Sequence, residues 1–109
     1  METQTPQIIR KYDDEGCLVA EWFEINNKKH GIMKEYFGSY YEDIVGKLAY
    51  ETNFINGIQH GEFKAYWWNG NIHQIYNYVN GKRFGEYKMY NENGNLIKKE
   101  YYINDIVKE

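Results

Sequence analysis

One cysteine, Cys17, stands in 109 residues, so no internal disulfide can staple the chain and no cysteine-based zinc site can be assembled. Proline also occurs once, as Pro6, which leaves almost every backbone N–H free to join a hydrogen-bonded ladder. No apolar run approaches the length of a membrane span, residues 1–14 hold no apolar core of signal-peptide length, and no Asn-x-Ser/Thr site occurs. A cytoplasmic location is the expectation. The formal net charge is -3, and this lack of basic excess argues against a nucleic-acid binder and disfavours an anionic membrane surface as the partner.

What the chain does have is tyrosine, glycine and a period. Twelve Tyr and an aromatic share of 18%, punctuated by glycines, favour strands over helices. Glycines recur at Gly16, Gly46, Gly70 and Gly94, and ten residues after each stands an asparagine: Asn26, Asn56, Asn80 and Asn104. Four residues before three of those glycines is Tyr12, Tyr66 or Tyr90; Tyr36 stands ten before Gly46. Two before each tyrosine is a base, Arg10, Lys34, Lys64 or Lys88, and two after each glycine is Leu18, Leu48, Ile72 or Leu96. Self-similarity at a fixed period is the mark of a repeat architecture. The spacing predicts one domain over 1–109 built from four units, 7–30, 31–60, 61–84 and 85–108. The second unit carries six extra residues around Phe37 to Gly46.

Each unit reads as a pair of strands. Asn26-Asn27, Asn56-Gly57, Asn80-Gly81 and Asn104-Asp105 suit two-residue type I′ turns, which require positive φ at both positions. Gly16 and its equivalents suit a type I turn followed by a bulge. Alternating the two turns down the chain predicts an all-β fold: a single elongated antiparallel meander of about eight strands. Counting outward from the Asn turns sets Tyr76 opposite Gly85, Trp22 opposite Gly31, Thr52 opposite Gly61 and His73 opposite Lys88. On that register the three glycines are packing positions beneath neighbouring rings. The parity of Leu18, Ala20 and Trp22 against Val19, Phe23 and Ile25 leaves two options open: both faces partly apolar, or a bulge that shifts parity within the strand.

Phe54-Ile55-Asn56-Gly57-Ile58-Gln59-His60-Gly61 and Tyr78-Val79-Asn80-Gly81-Lys82-Arg83-Phe84-Gly85 resemble the MORN repeat, whose pattern runs aromatic, Asn-Gly-Lys, then His-Gly. The continuation from Glu86 to Leu96 is more similar to the variant MORN subtype, which occurs in bacterial toxin/antitoxin proteins and in giant-virus proteins. The resemblance covers nearly the whole chain and is strongest from 54 to 104. Phe63 and Tyr87 replace the second glycine of the standard Gly-x-Gly, Asn27 stands for Gly in the first unit, and Phe84 stands for His. The resemblance implies a scaffolding or phospholipid-binding module, or by the subtype an antitoxin-like immunity partner.

Catalytic chemistry has little to draw on. His30 and His60 share a column with Phe84, which asks for a flat side chain rather than a proton carrier, and His73 has no second ligand or orienting acid at regular spacing. No phosphate loop, nucleophile elbow or paired-carboxylate motif occurs. The expectation is therefore a non-catalytic protein without metal or cofactor, with a protein partner or a second copy paired through a sheet edge. The candidate surface is Tyr66, Trp67, Trp68 and Tyr90 with the bases Lys64, Lys82 and Arg83, an aromatic and basic composition of the kind enriched at interfaces. Adjacent tryptophans in a strand point to opposite faces, so at least one is expected to be solvent-facing or interfacial.

Overall fold

The computed structural model describes residues 5–108; the leading tetrapeptide and Glu109, at the two ends of the expected domain, lie outside the described residues. The four Asn turns hold positive φ at both central positions: 54° and 64° at Asn26-Asn27, 50° and 81° at Asn56-Gly57, 51° and 84° at Asn80-Gly81, 50° and 69° at Asn104-Asp105. That backbone matches the right-handed twist of the flanking strands and turns each into its neighbour. The opposite turns behave as a second class. In the first, Gly16 N–H donates to Asp13 O at 3.0 Å and Asp13 N–H to Cys17 O at 2.9 Å, and the ladder slips by one residue after Lys11.

The product is one antiparallel sheet in which long strands follow one another in chain order. Eight of its strands are those expected: β1 (Gln7–Tyr12), β2 (Leu18–Ile25), β4 (Gly31–Tyr36), β5 (Leu48–Ile55), β7 (Gly61–Tyr66), β8 (Ile72–Val79), β10 (Gly85–Tyr90) and β11 (Leu96–Ile103). Among the described residues there are twelve, because each Asn turn is followed by a short stub, β3 (Lys28–Lys29), β6 (Ile58–Gln59) and β9 (Lys82–Arg83), or by β12 (Ile106–Lys108). A stub and the strand after it are separated by one residue, His30, His60 or Phe84.

That separation corrects the expected register. Val79 does pair Lys82, but Ile75 pairs Lys88, so two residues have been taken up between stub and strand. On the side where Tyr76, Trp22 and Thr52 lie, the ladders stop at Lys88, Lys34 and Lys64 and do not reach Gly85, Gly31 or Gly61; the glycines pair on their other side, with Tyr102, Phe54 and Tyr78. Lys88 faces Ile75, not His73. The three glycines take φ of +89°, +99° and +94°, a region closed to most L side chains. They are required by the backbone, which leaves the ladder and re-enters it there, and not by a ring overhead: a Cβ on Gly31 would meet nothing within 4 Å.

Because the sheet is a single layer, no large side chain among the described residues is fully enclosed. The Cα envelope is 46 × 41 × 16 Å, and the buried positions are Ala20, Ala49, Ala65, Thr52, Tyr87 and Tyr102. Cohesion comes from a file of rings on one face. Tyr50 stacks near Phe63 (6.0 Å between centroids), Phe63 meets Tyr76 (6.1 Å), Tyr76 stacks on Tyr87 (4.3 Å), and Tyr102 closes edge-on against Tyr87 at 6.2 Å. Each such pair contributes roughly 0.5 to 1.5 kcal/mol beyond its area burial. Arg83 lies 4.6 Å from the Tyr102 ring and 5.5 Å from the Tyr76 ring, with Asp105 Oδ1 3.1 Å from its Nε. Both options left open by strand parity are realised: the bulges shift parity, and the opposite face carries exposed Ile8, Phe23, Ile32 and Ile55.

Candidate binding surfaces

Residues directly opposite one another across a ladder share a face, and the pairings string together one row through the eight long strands: Arg10, Glu21, Lys34, Glu51, Lys64, Ile75, Lys88, Lys99. The first five alternate in sign. Each carboxylate also takes a tyrosine: Tyr36 donates to Glu21 Oε1 at 2.6 Å, and Tyr66 makes the equivalent bond to Glu51. Burial, then the bond to Glu21, pushes the Tyr36 hydroxyl up to about 12, while the Tyr36 bond holds Glu21 below its ordinary range. Tyr66 is raised for the same two reasons. Ile75 breaks the alternation, and on either side of it carboxylates two residues along the same strand compensate: Lys64 to Glu62 at 3.2 Å and Lys88 to Glu86 at 3.5 Å, with Lys99 to Glu86 at 3.2 Å.

The register slip opens this face at regular intervals. Between β2 and β4, β5 and β7, and β8 and β10, only two residue pairs are in register before the strands part around the stub. A cleft lies at each junction, with volumes of about 340, 150 and 330 Å³. All three are lined by the same four repeat columns: Glu21, Phe23, Ile32 and Lys34 in the first; Glu51, Asn53, Glu62 and Lys64 in the second; Ile75, Asn77, Glu86 and Lys88 in the third. Asn53 Nδ2 donates to Glu62 O (2.8 Å) and Asn77 Nδ2 to Phe84 O (3.1 Å), restoring bonds that the parted backbone no longer makes. Phe23 in that column has no such donor. The first cleft is therefore the apolar one, with Ile8, Phe23 and Ile32 all exposed in it.

The candidate surface residues separate into groups. Lys64 lies on the cleft face in the middle of the charged row, and Tyr66 reaches that row through its bond to Glu51. Trp67 and Trp68 fall just past β7, in its turn rather than in a strand as expected, and both indoles reach the next turn: Trp67 Nε1 donates to Tyr90 O at 2.9 Å, Trp68 Nε1 to Glu92 Oε2 at 3.2 Å. Trp67 also stacks on His73 at 3.8 Å and is half-buried, whereas Trp68 is 53% exposed. Burial lowers the pKa of His73. Lys82 and Arg83 sit at the opposite end of the hairpins, beside the Asn turns, and Arg83 belongs to the ring face. Tyr90 joins Tyr66 and the tryptophans at the glycine-turn end, held to Trp67 through its carbonyl.

His30 and His60 tie units together. Nδ1 of each accepts from the Asn of the next turn, Asn56 N–H and Asn80 N–H, at 3.3 Å. Beside them Gly57 N–H donates to Lys29 O (2.7 Å) and Gly81 N–H to Gln59 O (2.8 Å), so successive Asn turns are bonded edge to edge. Among the described residues, no group of three or more His, Cys, Asp or Glu is placed to hold a metal ion.

The six-residue insertion is extruded from a turn without disturbing the ladder. Phe37 N–H donates to Lys47 O and Gly46 N–H to Phe37 O, both at 2.9 Å, the pair of bonds that closes the shorter turns. Ser39 docks the loop on the first turn, its N–H (2.9 Å) and hydroxyl (2.8 Å) both donating to Asp13 Oδ2. Those bonds and the one from Cys17 N–H lower the Asp13 pKa from 3.8 to about 2. Beyond Ser39, a short 3₁₀ turn (Glu42–Ile44) brings Tyr40, Tyr41, Glu42 and Asp43 alongside Trp68. Sequence reasoning singled out the insertion and Trp68 separately; the stacking of units side by side is what joins them. The clefts were also missed, although their four columns are visible once the units are aligned.

The family model described as MORN repeat variant matches residues 59–80 and 85–104. No curated protein and no solved structure matches the chain.

Proposed function

The chain carries MORN repeats, and on that premise we propose that it is a non-catalytic binding module that docks a protein partner across the cleft-bearing face of its sheet. The observation that carries the reading is the recurrence of one cleft, built from the same four columns, at each of three junctions between units. Equivalent subsites in a row suit an extended partner that touches several units at once, as the faces of repeat proteins do. The first cleft supplies the apolar anchor of Ile8, Phe23 and Ile32; Glu51, Glu62, Glu86 and the row lysines supply polar contacts around it.

A lipid-surface role gains less support. On the cleft face Arg10, Lys64, Lys88 and Lys99 each stand within 3.5 Å of a carboxylate, so most of the bases in its charged row are already compensated.

The test is affinity capture from native lysate with the wild type and with Phe23→Glu/Ile32→Glu, followed by reconstitution with the purified captured protein and hydroxyl-radical footprinting. Both substituted side chains are exposed, so circular dichroism should show an intact sheet. Binding lost in the folded variant, with Phe23 and Ile32 protected in the wild-type complex, supports the reading. Capture unaffected by the variant, or binding only to anionic vesicles in a salt-sensitive way, overturns it.

A further inference from the structure

We infer that the cleft between the insertion and Trp68 is a receptor for an arginine side chain on a basic segment of a protein partner. The cleft, about 460 Å³ and open to solvent, is lined by Tyr40, Tyr41, Glu42, Asp43, Ile44 and Trp68. Three of those residues are rings left largely in water: Tyr40 is 89% exposed, Tyr41 50% and Trp68 53%. Exposed rings gathered at one spot mark a recognition surface more often than a solvated face. Two more are carboxylates, and among the described residues neither Glu42 nor Asp43 enters an ion pair. None of the lining residues is a base.

Rings and unpaired carboxylates together select a cation, because the ring faces carry negative quadrupole density and the acids supply full charge. A guanidinium fits better than an ammonium. It is flat, weakly hydrated, stacks on aromatic faces and can engage a carboxylate through two N–H groups. The molecule holds an internal counterpart elsewhere in the sheet: Arg83 lies over the rings of Tyr76 and Tyr102 while Asp105 takes its Nε at 3.1 Å. The insertion cleft has the same kinds of partner, aromatic rings and acids, without the arginine.

The receptor is also held in shape before any ligand arrives. Ser39 is pinned twice to Asp13, Tyr41 N–H donates to Gly38 O at 3.0 Å, and the Tyr41 ring is flanked edge-on by Phe37 at 5.3 Å and Tyr40 at 5.2 Å. Trp68 is tethered through its indole N–H to Glu92. A preformed site loses less entropy on binding.

The inference rests on the reading of the chain as a protein-binding module, but its test needs neither the natural partner nor the sheet face. The full chain, labelled with ¹⁵N, is titrated with a capped Arg-Gly-Arg-Gly-Arg peptide while the Trp68 indole N–H is followed, that resonance being assigned by its loss in Trp68→Phe. Controls are the same peptide with citrulline at each arginine, and two charge-matched variants, Glu42→Gln/Asp43→Asn in the cleft and Glu24→Gln/Glu100→Gln away from it. The expected result is a saturable shift of Trp68 with Trp22 unmoved, affinity at least fivefold weaker for the citrulline peptide and for the cleft variant, and the remote variant close to wild type. No saturable shift, an equal response to citrulline, or equal weakening by the two charge-matched variants overturns the inference. A failed capture at Phe23 and Ile32 leaves this titration untouched, so the two readings fail separately.

Discussion

Replacing Gly85 by alanine of either hand separates two reasons for a glycine. Its φ is +94°, and a Cβ built there would meet its nearest neighbour, Asn77 Nδ2, at 3.9 Å, an ordinary contact. Sterics with the surroundings therefore contribute nothing, and the whole cost of an L side chain is backbone strain. That strain is on the order of 1 to 3 kcal/mol for a residue held in the left-handed or a more extended positive region. For a domain of this size about 2 kcal/mol corresponds to a drop of roughly 8 to 16 °C in thermal midpoint. D-alanine adopts positive φ without strain and restricts the unfolded chain. The protein with D-alanine in place of Gly85, made by total synthesis, should therefore equal the wild type or exceed it by about 0.4 to 1 kcal/mol. Urea and thermal unfolding of the wild type, of Gly85→Ala and of the D-alanine chain give the comparison. Equal destabilisation by both hands would refute the backbone argument and return the glycine to a packing role beneath a ring.

Trp67→Ala should lower stability by roughly 1 to 3 kcal/mol, since it removes a half-buried ring stacked on His73 and a bond to Tyr90 O, while Trp68→Ala should stay within about 0.5 kcal/mol because its ring is exposed; chemical denaturation of the two variants checks the order. Glu51→Gln takes the charged acceptor from Tyr66 and one member from the row, costing about 1 kcal/mol, and ultraviolet titration should show the Tyr66 hydroxyl moving back down toward the ordinary tyrosine range. Asp13, depressed to about 2 in the folded chain from 3.8, contributes stability that is complete above the unfolded value and is lost as pH falls from about 4 through 2. Thermal midpoints from pH 6 to pH 2 should therefore fall more steeply for the wild type than for Asp13→Asn. Gly38→Ala brings a Cβ within 3.0 Å of Asp13 Oδ2 and of Val19 Cγ1, so it should release Ser39, seen as faster amide exchange at Ser39 with the sheet amides unchanged.

The turns, the long strands and their order were legible because each rests on a local rule: Asn-Gly pairs need positive φ, and a bulge turn needs glycine at one position. The register was not. The slip between stub and strand depends on how a backbone leaves and rejoins a ladder at His30-Gly31 and its equivalents, and a glycine reads the same whether it admits a neighbouring ring or a positive φ. The same blindness hid the clefts, which are consequences of the slip. For the candidate surface, Lys64 and Tyr66 could be set on one strand from spacing alone. The contact of Trp68 with an insertion about 25 residues earlier depends on units lying side by side with their like turns aligned, which only the assembled sheet reveals. Arg83 illustrates the converse: a basic residue in the sequence, it is already engaged with two rings and Asp105.

Every long strand pairs with its neighbours in the chain, and this has a kinetic consequence. All-β proteins usually fold slowly because distant segments must be brought together before any pairing is rewarded. Here each hairpin but the one that carries the insertion closes over a few residues, and each further strand adds to an edge already formed, so growth can begin at any Asn turn and run both ways. Unfolding should follow the same route backwards, as fraying from the outer strands inward. The unit that carries the insertion, with sheet on both sides, would be among the last to lose its amide protection.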